Sequence, residues 1–330
     1  MSRHLRFAAR AFTFLVLGLA LAGSADVEAA PSGPLPRIGI VQIVEHPSLD
    51  AARQGFVDAL AELGYVEGST VRYDVRSAQG DLAIAQAIAQ RFVADGVDLI
   101  LAIATPAAQA AAQATRSIPI LITAVTDPVA ARLVESLERP GTNVTGTSDM
   151  TPVAAQLRLL RQLVPSARRV GVVYNPGEVN SQVQARLTRQ AAAELGLEIV
   201  EASAASSTEV MTAAQSIARR VDAYYVFTDN TVVSALESVV KVAEEARKPL
   251  IVGEGDSVRR GGLASVAIDY YELGRQTGRM AAEVLRGASP AEMPIQFQQE
   301  ARLVINLQAA RRMGVTVPAE LIESAAEVIR

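Results

Sequence analysis

Tyr224-Tyr225-Val226-Phe227-Thr228-Asp229-Asn230-Thr231 is an apolar run that stops in a cluster of polar residues, and the amphipathic stretch 232–246 follows it. A short apolar run leading into a helical period reads as a buried strand feeding a helix, the repeating unit of a parallel α/β sheet. One helix is expected over 232–246. An acid and an amide at the carboxyl end of such a strand lie on the rim where open α/β sheets bind ligands. Three roles are open to Asp229: helix cap, catalyst or ligand anchor.

Outward from this stretch the same unit recurs. Upstream, the apolar run 170–174 ends in Tyr174 and passes into a Pro/Gly loop carrying Glu178, Asn180 and Ser181. Downstream, the run 250–253 precedes Glu254 and Asp256, and the run 263–268 precedes Asp269-Tyr270-Tyr271. The first half of the chain behaves alike. A strand at 38–42 is followed by Leu49, Ala52, Phe56, Leu60 and Leu63 at helical spacing, and residues 71–76 alternate apolar and charged like a strand near a sheet edge. The apolar run 97–104 meets Thr105-Pro106, which predicts Thr105 as N-cap and Pro106 as the first helical residue. The amino end of that helix would face the rim and suit a carboxylate. The strand 120–125 then ends in Thr126-Asp127-Pro128, a further helix is expected to finish over 133–137, and Thr151-Pro152 starts the pattern again.

Two consecutive halves of this kind predict an α/β fold of two doubly wound parallel-sheet lobes, each giving polar strand ends to one cleft. If the unit at 263–285 returns to the first lobe, the chain crosses between lobes several times. The expected division is a leader at 1–29, a linker at 30–36, a first lobe at 37–148 plus about 265–290, and a second lobe at 149–264 plus about 291–330.

Composition narrows the function. The 330 residues are 50% apolar with a net charge of -4, and 31 Lys and Arg are scattered among 35 Asp and Glu. Phosphate-binding surfaces need clustered cations, so nucleic acid is not an expected partner. A hydrolytic reading of Gly253-Glu254-Gly255-Asp256-Ser257 lacks a base, since the chain has only His4 and His46. Val258 stands where a dinucleotide-binding loop needs its third glycine. Arg3, Arg6 and Arg10 before an apolar run at 12–21, then Val27-Glu28-Ala29, read as a secretory signal cleaved near Ala29. The absence of Cys removes a lipid-attachment site, disulfides and thiolate metal sites together. The expectation is a protein exported to the periplasm.

The strings TDPV (126–129), RPGTNVTG (139–146), YNPGEVNS (174–181), TDNTV (228–232), IDYYELGRQT (268–277) and VINLQAARRMGVTVP (304–318) occur in this order. Together they resemble the periplasmic substrate-binding proteins of ABC transporters, in the family that includes tryptophan- and aromatic-amino-acid-binding members. The resemblance covers nearly all of the chain beyond the signal. It implies a type I periplasmic-binding-protein fold with a multi-crossing hinge, a cleft that closes on a small amino-acid-like ligand, and a membrane permease as partner; the alternatives are a sensor that delivers its solute to a receptor kinase, or a sugar or nucleoside as the solute. A monomer without metal or cofactor, and without catalysis, is expected. On this resemblance Asp229, oriented by Asn230, is the first choice for the ligand's ammonium, with Asp127 and Asp269 as competing acids. Thr105 and Thr126 are the candidates for its carboxylate. Glu178, Asn180 and Ser181 would close over it from the second lobe, Tyr174 and Tyr270 would pack on its side chain, and Glu254 completes the polar rim.

Overall fold

The structure is a computed structural model that describes residues 34–298 and 300–330. The expected signal segment lies outside the described residues. Among these residues no helix is long and apolar enough to cross a membrane. The chain first lays down β1 (Arg37–Gln42), α1 (Pro47–Glu62), β2 (Arg72–Ser77), α2 (Leu82–Ala94), β3 (Leu99–Ile103), α3 (Thr105–Ala114), β4 (Ile120–Val125) and β5 (Val144–Ser148). It continues through α4 (Val153–Leu163), β6 (Arg169–Tyr174), α5 (Val179–Glu194), β7 (Glu198–Ser203), α6 (Val210–Ile217), β8 (Ala223–Val226), α7 (Asn230–Ser234), α8 (Leu236–Glu245), β9 (Leu250–Val252), α9 (Gly255–Arg259) and β10 (Ala264–Ala267). It ends with α10 (Tyr270–Leu285), β11 (Gln296–Phe297), β12 (Arg302–Asn306), α11 (Leu307–Met313), α12 (Ala319–Ser324) and β13 (Glu327–Ile329).

The strands form two sheets, in the orders β11-β5-β4-β3-β1-β2 and β13-β12-β10-β9-β8-β6-β7. All pairings are parallel except that of β12 with β10. The near-continuous apolar strands β3, β4, β8 and β9 are fully buried, as parallel strands covered on both faces must be. On the edge strand β2 the alternation does not hold throughout: Val75, on the side expected to be covered, is half exposed. Two separate hydrophobic cores fill the two lobes.

The chain passes from one sheet to the other three times: between β5 and α4, between β10 and α10, and between β11 and β12. This corrects the expected lobe boundaries. The strand at 264–267 pairs with β9 and β12 and belongs to the second lobe, while β11 pairs with β5 and returns to the first. Helix α10 lies on the first lobe, where the Thr277 and Thr147 hydroxyls hydrogen-bond at 2.8 Å and Leu273 and Met280 enter the first core. The seam was misjudged because a strand's partner is not encoded in its own residues.

Three local expectations also fail. The segment 133–137 is a turn instead of a helix: Arg132 has φ 57, and Pro140 biases residue 139 away from helical geometry. The stretch 232–246 breaks at Ala235 into α7 and α8. Thr105 is not a cap; Ala104 holds that position with φ 77, and no side chain caps α3.

Helix α10 lies unusually close to α1. A Cβ added at Gly274 would come within 1.9 Å of the Ala52 carbonyl oxygen, and one at Gly55 within 2.0 Å of that of Tyr271. Only hydrogen fits between these backbones. The contact fixes α1, which follows His46, against α10, which begins at Tyr270, and both residues border the cleft.

Candidate functional site

The carboxyl ends of six strands from both sheets meet around one cavity. It is lined by His46 and Leu49 after β1, Ala124 and Thr126 at the end of β4, Asp149 after β5, Asn180 on α5, Thr228, Asp229, Asn230 and Val233 after β8, Glu254 after β9 and Tyr270 after β10. The space among these residues, counted out to its open mouth, is about 260 Å³. Closure is held across the lobes by the Ser48 hydroxyl, which donates to Asp256 Oδ2 at 3.0 Å.

Backbone irregularity shapes the first-lobe wall. Ala104 and Ala124 are non-glycine residues with φ 77 and φ 55 at the ends of β3 and β4, and the β4–β5 register shifts between Ile122 and Val125. Residues held in this region carry about 1–3 kcal/mol of strain each and concentrate at ligand sites. Here they turn the chain at the rim just before Thr105 and Thr126. The Thr105 hydroxyl is buried with no partner.

Asp149 is the acid with a free oxygen. It is 3% exposed; its Oδ2 accepts from the Tyr270 hydroxyl at 2.6 Å, while its Oδ1 is buried without a partner. Burial raises its pKa against the pull of the Tyr270 hydrogen bond. Glu254, equally buried, is pushed up to about 7 by burial, opposed by the Ser257 hydrogen bond and reinforced by the charges of Asp256 and Asp149. The two acids form one negative pole. No Lys or Arg lines the cavity. A buried carboxylate is strongly disfavoured unless a cation joins it or it takes up a proton.

Asp229 plays a different part. Its Oδ1 accepts from Val232 N–H at 2.7 Å, capping α7, and its Oδ2 accepts from Asn175 N–H at 2.7 Å and the Ser181 hydroxyl at 2.6 Å. Burial and the neighbouring Glu178 raise its pKa. It borders the cavity, but its carboxylate ties the 175–181 loop to the start of α7. Asp229 itself is the cap; Asn230 and Thr231 are not, so the carboxylate is not left free.

Of the residues singled out in the sequence, Thr126, Asn180, Asp229, Asn230, Glu254 and Tyr270 come together on the cavity. The others do not line it. Glu178 faces a neighbouring opening and accepts from Asn230 Nδ2 at 2.5 Å and from the Thr231 hydroxyl at 2.8 Å, which makes it a brace for α7. Ser181 is spent on Asp229, and Thr105 sits buried at the start of α3. Asp127 caps its own turn through Val129 and Ala130 N–H at 3.1 and 2.9 Å, and the exposed Asp269 caps α10 through Glu272 N–H at 3.2 Å. Tyr174 points its hydroxyl at Glu201 at 3.2 Å and packs on Phe227. Six cavity residues lie outside the sequence-based selection: His46, Leu49, Ala124, Asp149, Thr228 and Val233. Asp149 follows the end of β5 as Asp229 follows β8, but residues 144–148, Val-Thr-Gly-Thr-Ser, lack the apolar run that marks the other strand ends in the sequence. Nothing local marks His46, Leu49 or Val233. Among the described residues no group of three or more His, Cys, Asp or Glu is placed to hold a metal ion.

Comparison with known proteins agrees with this architecture. The family model described as "ABC transporter substrate binding protein" matches residues 37–329. A protein named tyrosine-binding protein from Clostridioides difficile is 47% identical over 269 residues, covering 82% of this chain and 78% of that one. A Streptococcus ABC domain solved in complex with L-Trp is 38% identical with a TM-score of 0.87, covering 90% of this chain and all of that one. A Clostridium difficile substrate-binding protein solved in a ligand-free, open form is 43% identical, covering 89% of this chain and 99% of that one, with a TM-score of 0.68. Identity and structural likeness rank the last two in opposite order: the chain is more similar in structure to the L-Trp complex than to the ligand-free, open form. Family model, identity and two-lobed closed cleft agree: the chain belongs to the family of ABC transporter substrate-binding proteins.

Proposed function

We propose that this chain is the solute-binding component of an ABC importer, exported to the periplasm, which captures an aromatic amino acid in its interlobe cleft and presents the closed form to a permease. The observation that carries the ligand class is the free Oδ1 of buried Asp149 beside Glu254, in a cavity lined, among the described residues, by no Lys or Arg. An α-ammonium group supplies the cation this pole lacks. The Thr126 hydroxyl and the Asn180 and Asn230 side-chain amides on the same cavity wall are the hydrogen-bonding groups that suit the ligand's carboxylate. Leu49, Val233 and Tyr270 offer apolar surface for a side chain. The relatives named for tyrosine binding and solved with L-Trp support an aromatic one.

The test is a titration of purified protein, freed of bound ligand by unfolding and refolding, against the standard amino acids. L-Tyr or L-Trp is expected to raise the melting temperature, because a ligand that binds only the native state stabilises it by mass action. A response to sugars or nucleosides with none to any amino acid overturns the reading. The chain contains no Trp, so L-Trp binding is also readable from the ligand's own fluorescence.

A further inference from the structure

His46 has no part in closing the lobes or in the acidic pole, yet it is built into the cavity wall. It occupies the N-cap position of α1 without making a capping hydrogen bond, it is 7% exposed, and its Nδ1 is buried with no partner. A buried polar atom without a partner costs about 1–3 kcal/mol, and native proteins keep such atoms where a ligand or water meets them. Leu49 and Val233 line the same cavity. The charge acting on His46 is the guanidinium of Arg260, which together with burial pushes the imidazole down to about 3. It is therefore neutral at physiological pH. Arg260 itself is turned away, donating to the Val233 carbonyl at 2.8 Å and to Glu237 at 2.8 Å.

A neutral imidazole is a poor partner for a carboxylate or an ammonium, each of which has better-suited groups elsewhere on the rim. It is a good partner for a neutral O–H or N–H. Resting on the aromatic-amino-acid reading above, we propose that His46 is the specificity-determining residue of the cleft: its free ring nitrogen accepts the polar hydrogen of the ligand's ring, so the site selects a phenol or an indole over an unsubstituted phenyl ring. Phenylalanine would leave Nδ1 unpartnered in the closed cleft, and a site built to bond a substrate hydrogen rejects the analogue lacking it more strongly than it rejects a change in size.

The experiment compares dissociation constants of L-Tyr, L-Trp and L-Phe, measured by calorimetry, for the mature protein and for His46→Leu and His46→Gln, with melting temperatures as folding controls. The unsubstituted protein is expected to bind Tyr or Trp at least about tenfold tighter than Phe. His46→Leu should erase that preference by weakening Tyr and Trp while leaving Phe unchanged or tighter, and His46→Gln, which keeps an acceptor, should retain part of it. Equal binding of all three by the unsubstituted protein, or an equal loss for all three in His46→Leu, overturns the role of His46 while leaving aromatic amino-acid binding standing. No binding of any of the three overturns the ligand reading itself, and the role of His46 with it.

Discussion

Asp149 and Asp229 are both buried acids just beyond strand ends, and their hydrogen bonds separate their roles. Three protein donors satisfy Asp229, whereas one oxygen of Asp149 has none. Asp229→Ala is expected to remove a helix cap and a loop tether, destabilising the protein by about 1–3 kcal/mol with a fall in melting temperature. Asp149→Asn keeps the side chain's shape and a hydrogen-bonding partner for Tyr270 but loses the charge. Its affinity for an ammonium ligand should fall by at least about 30-fold, since removing one side of a buried charge pair costs about 2–5 kcal/mol. Calorimetry and thermal melting on the two variants check both. The assignment fails if Asp149→Asn binds unchanged.

At the scale of elements, the α1–α10 contact is the rigid part of the site. The Gly274 position has no room for a side chain against Ala52, and Gly278 is similarly crowded by Phe56. Gly274→Val should push the helices apart, costing about 1–3 kcal/mol or more by overpacking. Because the helices carry Leu49 and Tyr270, ligand affinity should fall along with stability. Chemical denaturation with a parallel ligand titration reads both effects. The short helix α7 works differently: Asp229 and Glu178 brace it from below, and it presents Asn230 and Val233 to the cavity.

For the whole molecule, the proposed function requires an equilibrium between open and closed lobes, and two features would bias it. The Ser48–Asp256 hydrogen bond joins one lobe to the other. Ser48→Ala is expected to weaken ligand binding about tenfold, as loss of a hydrogen bond to a carboxylate implies, while leaving the melting temperature of the ligand-free protein nearly unchanged. Small-angle scattering with saturating ligand should still show compaction. The second feature is charge. Glu254 is raised from 4.5 to about 7, so in the closed ligand-free form it holds a proton that an unfolded or solvated carboxyl would release. Its contribution to stability is present at low pH and is lost as pH rises through about 7. An ammonium ligand reverses the preference by selecting the ionised carboxylate. Binding at pH 6 should therefore release protons, and affinity should rise between about pH 5 and 8. Calorimetry in two buffers of different ionisation enthalpy measures the release; identical heats in both, after correction for dilution, would contradict the scheme.

The alternation of apolar runs with helical periods set the α/β class and the pair of lobes, because strand and helix periods are local properties of the chain. The same runs located the rim, since polar residues that follow a buried parallel strand have only its carboxyl edge to occupy. Six of the chosen rim residues do border the cavity. Tertiary structure alone decided which of them is free to meet a ligand. Asp127, Asp229 and Asp269 look alike in sequence, as acids beyond apolar runs, while Asp149 follows a Thr/Ser-rich strand; what separates them in the structure is whether neighbouring N–H and O–H donors have already claimed their oxygens. It also decided the lobe to which β10 and β11 belong, and brought His46 into the cavity wall. Strand partners, and a side chain whose neighbours are hundreds of residues away, are set by packing between distant segments, which no local period encodes.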